Sequence, residues 1–534
     1  MIFWKELLTK RPLAFVVVLF IALAGQAQGQ TTANANQPRQ FANGVVFHDR
    51  NNDGARDEGE QGLEGVRVSN GREVVKTDAQ GRYRLPISND TIIFVVKPRG
   101  WMTRIGKNNL PRFYYIHKPA GSPANFQYKG VAPTGALPAS VDFPLSRREE
   151  PDQFRIILFG DTQPRDQQEI DYIAHDVIES LIGEQAAFGI TLGDIMFDDL
   201  SLFESLNRTI ARIDIPWYNT IGNHDINFDA PNNELADETF ESVYGPSYYS
   251  FDYGPVHFIV MNDVEWSGST PEGRGTYKGN LGARQLEFIR NNLTFVPKEH
   301  LIVLTMHIPL VEVDDRQELF HLLAARPHTL SLSAHTHIQQ HIFFTGKDGW
   351  TGQAPHHHVN HATVCGSWWT GAPDENGIPH TTMRDGAPNG YSFVNFDGNK
   401  YTVEFRAARR PASHQMNIFA PEVIAAEESA RTEVLVNVFA GSERSKVEMR
   451  IRGSKTWIPL ERTEQEDPYY VRLKMQETSS VPSPGRKLPK AAQSTHLWIG
   501  RLPRDVSKGT QLIEVRTTDM FGKTYTDQRI IRVR

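Results

Sequence analysis

Between Phe154 and Ala408, five apolar runs each stop at a glycine or tight turn that carries a polar side chain. "RIILFGDTQ" ends in Asp161 and Gln163, and "GITLGDIMFDD" in Asp194, with Asp198 and Asp199 behind it. "TIGNHD" supplies Asn223, His224 and Asp225, "HLIVLTMHIP" supplies His307, and "TLSLSAHTH" supplies His335 and His337. Amphipathic stretches such as "QQEIDYIAHDVIESLI" and "ARQLEFIRNNL" fall between the runs with a helical period. Strands alternating with helices specify an α/β layered domain. In such folds, residues just beyond the carboxyl ends of strands gather along one edge and form the ligand site.

The residue types collected there share one chemistry. Carboxylate, imidazole and amide oxygen together suit Zn, Mn or Fe. A pair of metals roughly 3.5–4 Å apart needs one ligand able to bridge them, and a carboxylate can do so because it has two oxygens with several lone pairs. Each motif alone is weak, because "HTH" could be surface polarity and "GNHD" a turn. All five in order, each at a strand end, point jointly to a dinuclear metal centre.

The series Asp-x-(His or Gln), Gly-Asp, Gly-Asn-His-Asp, His and a final His-x-His resembles the calcineurin-like metallophosphoesterases, and the resemblance covers the whole middle domain. It implies a β-sandwich flanked by helices that hydrolyses phosphate mono- or diesters with two divalent transition metal ions. Carried over by motif, it puts Asp161, Gln163 and His337 on one ion, Asn223, His307 and His335 on the other, and Asp194 between them. It further implies in-line attack of a metal-bound hydroxide, with His224 protonating or steadying the leaving oxygen. Asp225 would orient His224, and Asn223 would help position a phosphoryl oxygen.

Three positions depart from the family pattern. Gln163 stands in place of the commoner His, which reads as variation because an amide oxygen can still coordinate. Ala334 stands where Gly is usual, so that residue should keep an ordinary backbone conformation. Phe197 stands where purple acid phosphatases place a tyrosine ligand, which argues against an iron–phenolate centre. A reading from another class also stays open: a catalytically inactive cell-surface binding or adhesive protein on the same fold.

The flanks have a different texture. Residues 39–148 show short alternating runs around Asn70-Gly71 and Asp78–Gly81, and residues 409–534 show six further short runs, including "YYVRLKM". Both read as all-β sandwiches around the 151–408 domain, resembling the N- and C-terminal parts of a bacterial three-domain subgroup. "SRREEPDQ" (146–153) reads as a charged linker, and 477–495, with three prolines, as a loop.

Within the first flank, "DRNNDGARDEGE" matches the calcium-loop pattern D-x-[DN]-x-[DN]-G-x5-E. Asp49, Asn51, Asp53, Asp57 and Glu60 would supply side-chain oxygens and Ala55 a carbonyl. The neighbouring segments read as strands, so this is no EF-hand. It resembles calcium-binding sandwich modules of bacterial surface proteins, and a solvated acidic turn fits the residues equally well.

The N-terminus reads as an address. Lys5, Lys10 and Arg11 precede an apolar run from Pro12 to Ala24, and the small residues Gly25, Ala27 and Gly29 follow. That is the pattern of a signal peptide, here 1–29, with a run short for a bilayer span. A secreted or periplasmic protein is expected, with no transmembrane segment in the mature chain. The net charge of −6 leaves no basic footprint for nucleic acid. The single cysteine, Cys365, cannot close an intrachain disulfide. "ATVCGSWW" reads as a strand in which it packs.

Three further features stand beside the motifs. Arg165 follows the first one and could touch phosphate, although a solvated arginine near a helix start is the commoner case. The segment Cys365–Tyr391 is long and rich in Gly and Trp, so Trp368, Trp369, Asp385, Asn389 and Tyr391 read as a substrate wall or, with equal weight, as an aromatic plug. His356, His357, His358 and His361 read as a polar loop near the cleft and not a third metal site, because consecutive residues on a strand cannot face one point.

Overall fold

The computed structural model describes residues 40–477 and 485–534. The signal peptide read at 1–29 and part of the loop read at 477–495 lie outside them. Among the described residues, no helix is long and apolar enough to cross a membrane.

The described residues begin with two packed sheets. One orders Arg82–Ile87, Gln40–His48, Phe143–Arg147, Trp101–Ile105 and Pro111–Arg112; the other orders Val74–Lys76, Arg67–Ser69, Thr91–Val96 and Tyr114–His117. Thr91–Val96, "TIIFVV", is buried along its whole length. The C-terminal region is a second sandwich. Its four-stranded sheet runs Met416–Phe419, Glu433–Val438, Gln493–Arg501, Glu461–Glu466, and its five-stranded sheet centres on the long hairpin Gly509–Thr518 and Thr524–Val533.

The middle region also has two sheets, and their relation positions the site. The first orders Trp217–Asn219, Gly189–Thr191, Gln153–Phe159, Gly390–Asp397 and Lys400–Ala407, with the first three parallel. The second orders Tyr249–Tyr253, Val256–Val260, Leu301–Thr305, Thr329–Ser333, His356–Asn360 and Gln340–Phe344, with the middle four parallel. Phe258 of the second sheet meets Phe188 and Phe396 beside the first at ring separations of 5.3 and 5.7 Å, so the sheets share one aromatic core. Helices Gln167–Ile173, Phe203–Ile210, Gly282–Leu293 and Arg316–Leu323 flank them. The first of these starts where the Asp166 carboxylate accepts the Glu169 amide at 3.0 Å.

Three expectations fail, and the charged linker proves to be anchored. "YYVRLKM" is not a strand but lies in the helix Pro468–Gln476, because Asp467 caps it by accepting the Tyr470 amide at 2.7 Å and Pro468 fills its first turn. "ATVCGSWW" is a run of turns, with Gly366 at φ +55 and Trp368 and Trp369 also left-handed. The His356–His361 stretch is no loop: His356–Asn360 is a fully buried strand, and His356 and His358 both bond Ser331 at 2.7 Å. The charged linker is anchored at Glu150, whose carboxylate pairs with Lys97 at 2.6 Å and accepts the Gly100 and Gly254 amides.

Candidate metal centre

The first three motifs leave parallel strands of one sheet, Gln153–Phe159, Gly189–Thr191 and Trp217–Asn219; the last two leave Leu301–Thr305 and Thr329–Ser333 of the other. The site therefore lies where the carboxyl edges of two sheets meet. The glycines inside the motifs are required by contact. A Cβ on Gly193 would sit 2.6 Å from His307 Nδ1, and one on Gly222 would sit 2.0 Å from the Asp194 backbone nitrogen. Gln163, Asp194, His335 and His337 all take positive φ. That conformation is costly for side-chain-bearing residues and persists where the surroundings over-determine it. Ala334 keeps out of this region, and the left-handed step falls on His335 instead.

The seven predicted ligands come together. His307 Nε2 lies 3.2 Å from Asp194 Oδ2, 3.1 Å from Asn223 Oδ1 and 3.0 Å from His335 Nδ1. His337 Nε2 lies 3.1 Å from Asp161 Oδ2, and the His335 amide donates to Asp161 Oδ1 at 3.0 Å. Asp194, His307 and His335 by themselves bring three ligand atoms within 4.8 Å of one another.

The hydrogen-bond chemistry says what this arrangement wants. His307 Nδ1 faces the Leu192 carbonyl at 2.9 Å, and His337 Nδ1 faces the Gly366 carbonyl at 2.6 Å. A carbonyl only accepts, so each Nδ1 carries a proton and each ring turns its Nε2 inward. Each Nε2 faces a buried carboxylate oxygen, Asp194 Oδ2 for His307 and Asp161 Oδ2 for His337. Buried carboxylates and imidazole nitrogens turned on one point need positive charge among them, which a shared proton or a metal ion supplies. The electrostatics show the same demand for positive charge. Burial opposes charge on His307, yet Asp194, Asp161 and Asp263 raise it to about 10. Burial and the neighbouring His307 push His335 down to about 4. A donor set of two Asp, three His and two amides fits divalent transition metals.

Gln163 faces the centre with its nitrogen. Its Nε2 donates to Asp194 Oδ2 at 2.9 Å, and its Oε1 accepts from Cys365 Sγ at 3.6 Å. Exchanging amide nitrogen and oxygen, which have nearly the same shape, would turn a ligand atom toward Asp194. Cys365 thus packs against the metal edge, 3.8 Å from His337 Nδ1, and burial pushes its thiol well above the ordinary range.

The partner of His224 differs from expectation. His224 Nδ1 meets Asp198 Oδ1 at 2.5 Å. Asp225 instead accepts the amides of Ile195, Met196 and Gly222, which fixes the turn behind Asp194; its burial and the Asp194 charge push it up to about 7. Burial lowers the basicity of His224, but Asp194 and Asp198 outweigh it and raise the ring above its usual value. Phe197 stacks on His224 at 4.7 Å and takes the Arg165 guanidinium on its ring, 3.7 Å from the centroid. Arg165 is therefore held in place, also bonding the Trp368 carbonyl at 3.1 Å, and is not a free solvated residue.

Of the expected substrate wall, only Trp368 joins Arg165 at the centre, its ring 3.9 Å from that of His337. Trp369 is buried under Tyr172. Asp385 accepts the Gln339 amide at 2.6 Å and pairs with His496 at 2.9 Å, Asn389 donates to Asp176, and Tyr391 packs on Phe159. These four support the fold. Two residues that sequence reading passed over do reach the centre. Tyr277 stands edge-on to His335 at 6.0 Å, and Arg274 lies 3.9 Å from Asp198. They come from the Val264–Trp266 and Tyr277–Gly279 hairpin, which carries no motif.

Comparison with known proteins gives a consistent family. The N terminal of calcineurin-like phosphoesterase matches residues 50–131, calcineurin-like phosphoesterase matches 154–339, and the C terminal of calcineurin-like phosphoesterase matches 358–525. No curated protein matches the chain. Among solved structures, a purple acid phosphatase from yellow lupin (Lupinus luteus) seeds aligns at 13% identity and TM-score 0.34, over 64% of this chain and 66% of its own. The sulfane dehydrogenase of Paracoccus pantotrophus aligns at 14% and 0.10, over 33% and 34%. Neither likeness is close enough to bear on function.

Proposed function

Because this chain belongs to the calcineurin-like phosphoesterases, we propose that it is an exported hydrolase of phosphate mono- or diesters that works with two divalent metal ions. The observation that carries the reading is the convergence of the inward-turned Nε2 atoms of His307 and His337 on buried carboxylate oxygens of Asp194 and Asp161, each about 3 Å away. Asp161, Gln163 and His337 would hold one ion, Asn223, His307 and His335 the other, and Asp194 both. Bound there, such ions acidify water and neutralise phosphoryl charge.

The chain's own groups do the rest. His224, protonated and oriented by Asp198, gives its proton to the departing oxygen. Phe197 fixes the plane of that ring, and Arg165 and Arg274 offer positive charge toward the phosphoryl oxygens. Trp368 and Tyr277 present aromatic faces for the organic part of the ester. Export is supported by the signal pattern at 1–29, so the working compartment is the periplasm or the cell exterior, and the metal is Mn, Zn or Fe.

The inactive binding protein on the same fold is the rival, and the complete donor set stands against it. The test is to purify the mature chain with Mn or Zn and assay a phosphomonoester and a phosphodiester beside Asp194→Asn and His224→Ala. The wild type should turn over at least one ester and the variants should lose at least about 100-fold. A wild type as silent as its variants on a broad panel, or one that takes up no transition metal, ends the enzyme reading. A secreted form beginning near Gln30 checks the export reading.

A further inference from the structure

The loop Asp49–Glu60 lies in the N-terminal sandwich, in a different part of the chain from the motifs of the metal centre. It leaves the strand Gln40–His48 and returns before Arg67–Ser69, with no flanking helix. Asp49 is fixed at its base, its amide donating to the Leu145 carbonyl at 3.0 Å. The residue is buried, with a relative exposure of 4%. Oδ2 accepts the Gly54 amide at 3.0 Å, which turns the carboxylate into the loop, yet Oδ1 is buried without any hydrogen-bond partner. A buried carboxylate oxygen left bare costs several times an ordinary hydrogen bond, so this one calls for a cation.

The surroundings supply the rest of a shell. The Asn51 amide nitrogen lies 3.0 Å from Asp53 Oδ2 and 2.8 Å from Asp57 Oδ2, so two carboxylates already converge on one point. Glu60 is also buried and clasps the loop, accepting the Arg50 amide at 2.7 Å and the Asp57 amide at 3.1 Å. Gly54 takes φ +82, the sharp turn that brings the two halves together. Arg50 and Arg56 project to solvent, and among the described residues no Lys or Arg pairs with Asp49, Asp53, Asp57 or Glu60.

We propose that this loop is a calcium site. Asp49, Asn51, Asp53, Asp57 and Glu60, with the Ala55 carbonyl, occupy positions one, three, five, nine, twelve and seven of a calcium loop. With its amide turned over, Asn51 gives an oxygen instead of a nitrogen. Hard oxygen donors on a flexible loop select calcium over magnesium, which demands tighter octahedral geometry. The ion is structural: it ties the end of Gln40–His48 to Phe143–Arg147, where Ser146 already donates to Asn52.

The test uses the full mature chain, stripped with a chelator and resupplied with manganese, then titrated with calcium chloride by calorimetry. One calcium per chain should bind, and it should persist in His335→Ala, which damages the other centre. It should weaken at least about tenfold in Asp53→Ala, an exposed position that spares the fold, and in Glu60→Gln. Calcium should also slow tryptic cleavage after Arg50 and Arg56 and raise the melting temperature by a few degrees, roughly as binding to the folded state alone predicts. A folded chain that binds no calcium up to about 10 mM, roughly tenfold beyond the weak end for extracellular modules, overturns the proposal. So does calcium binding that Asp53→Ala leaves unchanged or that His335→Ala abolishes.

Discussion

At the scale of single residues, the centre is explained by which atom each side chain turns inward, and two positions test that account. Asp198 meets His224 Nδ1 at 2.5 Å and so fixes both the orientation and the proton of the ring. Asp198→Ala should lower kcat by roughly 10- to 100-fold and leave metal content unchanged, since Asp198 touches none of the proposed ligands; loss of metal in that variant would make it a structural residue instead. Gln163 is the other. Gln163→His should keep two metals per chain and retain activity, whereas Gln163→Ala should weaken one of them, read by metal analysis after dialysis. If Gln163→Ala keeps both, the amide only braces Asp194, as its present hydrogen bond does. The proposed ligand positions stood out in the sequence because each follows a strand end, at a glycine or a tight turn. The role of Asp198 was not. Asp225 is adjacent to His224 in the chain, but its side chain is consumed by three backbone amides, while Asp198 arrives from another strand through a left-handed turn at φ +66.

At the scale of elements, the strand His356–Asn360 makes a prediction about pH. His356 and His358 are fully buried and bonded to Thr329, Ser331 and Ser333, and burial pushes each down to about 3. An unfolded chain binds protons at these rings near pH 6.5 and the folded chain does not. Below that pH the unfolded state therefore holds more protons, and stability falls as pH drops. Each ring should cost about 2 kcal/mol between pH 6.5 and 5. The urea midpoint should thus decline over that range, and His358→Gln should flatten the decline; an unchanged slope would mean the ring is not buried neutral. The sequence concealed this strand because its apolar content is low: Ser and Thr hydroxyls on the neighbouring strand replace apolar neighbours. The helix Pro468–Gln476 was hidden differently. "YYVRLKM" has strand-like composition, and the decisive signal was the Asp467-Pro468 pair before it, a cap followed by a first-turn proline.

At the scale of the whole molecule, three sheet-built regions were legible from the change in texture along the chain, whereas their wiring was not, because the residues that join them are polar and far apart in sequence. Arg67 of the first sandwich reaches Asp252 and Asn292 of the middle region, and Asp252 in turn holds His257 at 2.6 Å. The C-terminal sandwich connects through Asp385, which pairs with His496 at 2.9 Å and accepts the Gln339 amide at 2.6 Å, two residues beyond His337. His496 Nδ1 also meets Asn437 Oδ1 at 2.8 Å, and Asn437 donates to Asp467. The turn that carries the proposed ligand His337 is therefore braced by the C-terminal sandwich. Removing one member of such a buried pair leaves the other charge exposed to a medium of low polarity, at a cost of about 3–5 kcal/mol. His496→Ala should accordingly lower the melting temperature, and it should weaken retention of the metal held by His337 even though residue 496 is not a ligand. Asp385→Asn, which keeps the shape and the acceptor toward Gln339, should do less of both. Calorimetry and metal analysis on the two variants decide the matter. If His496→Ala destabilises the chain but metal retention and turnover match the wild type, the C-terminal sandwich is an appended module, and the turn at His337 stands by itself.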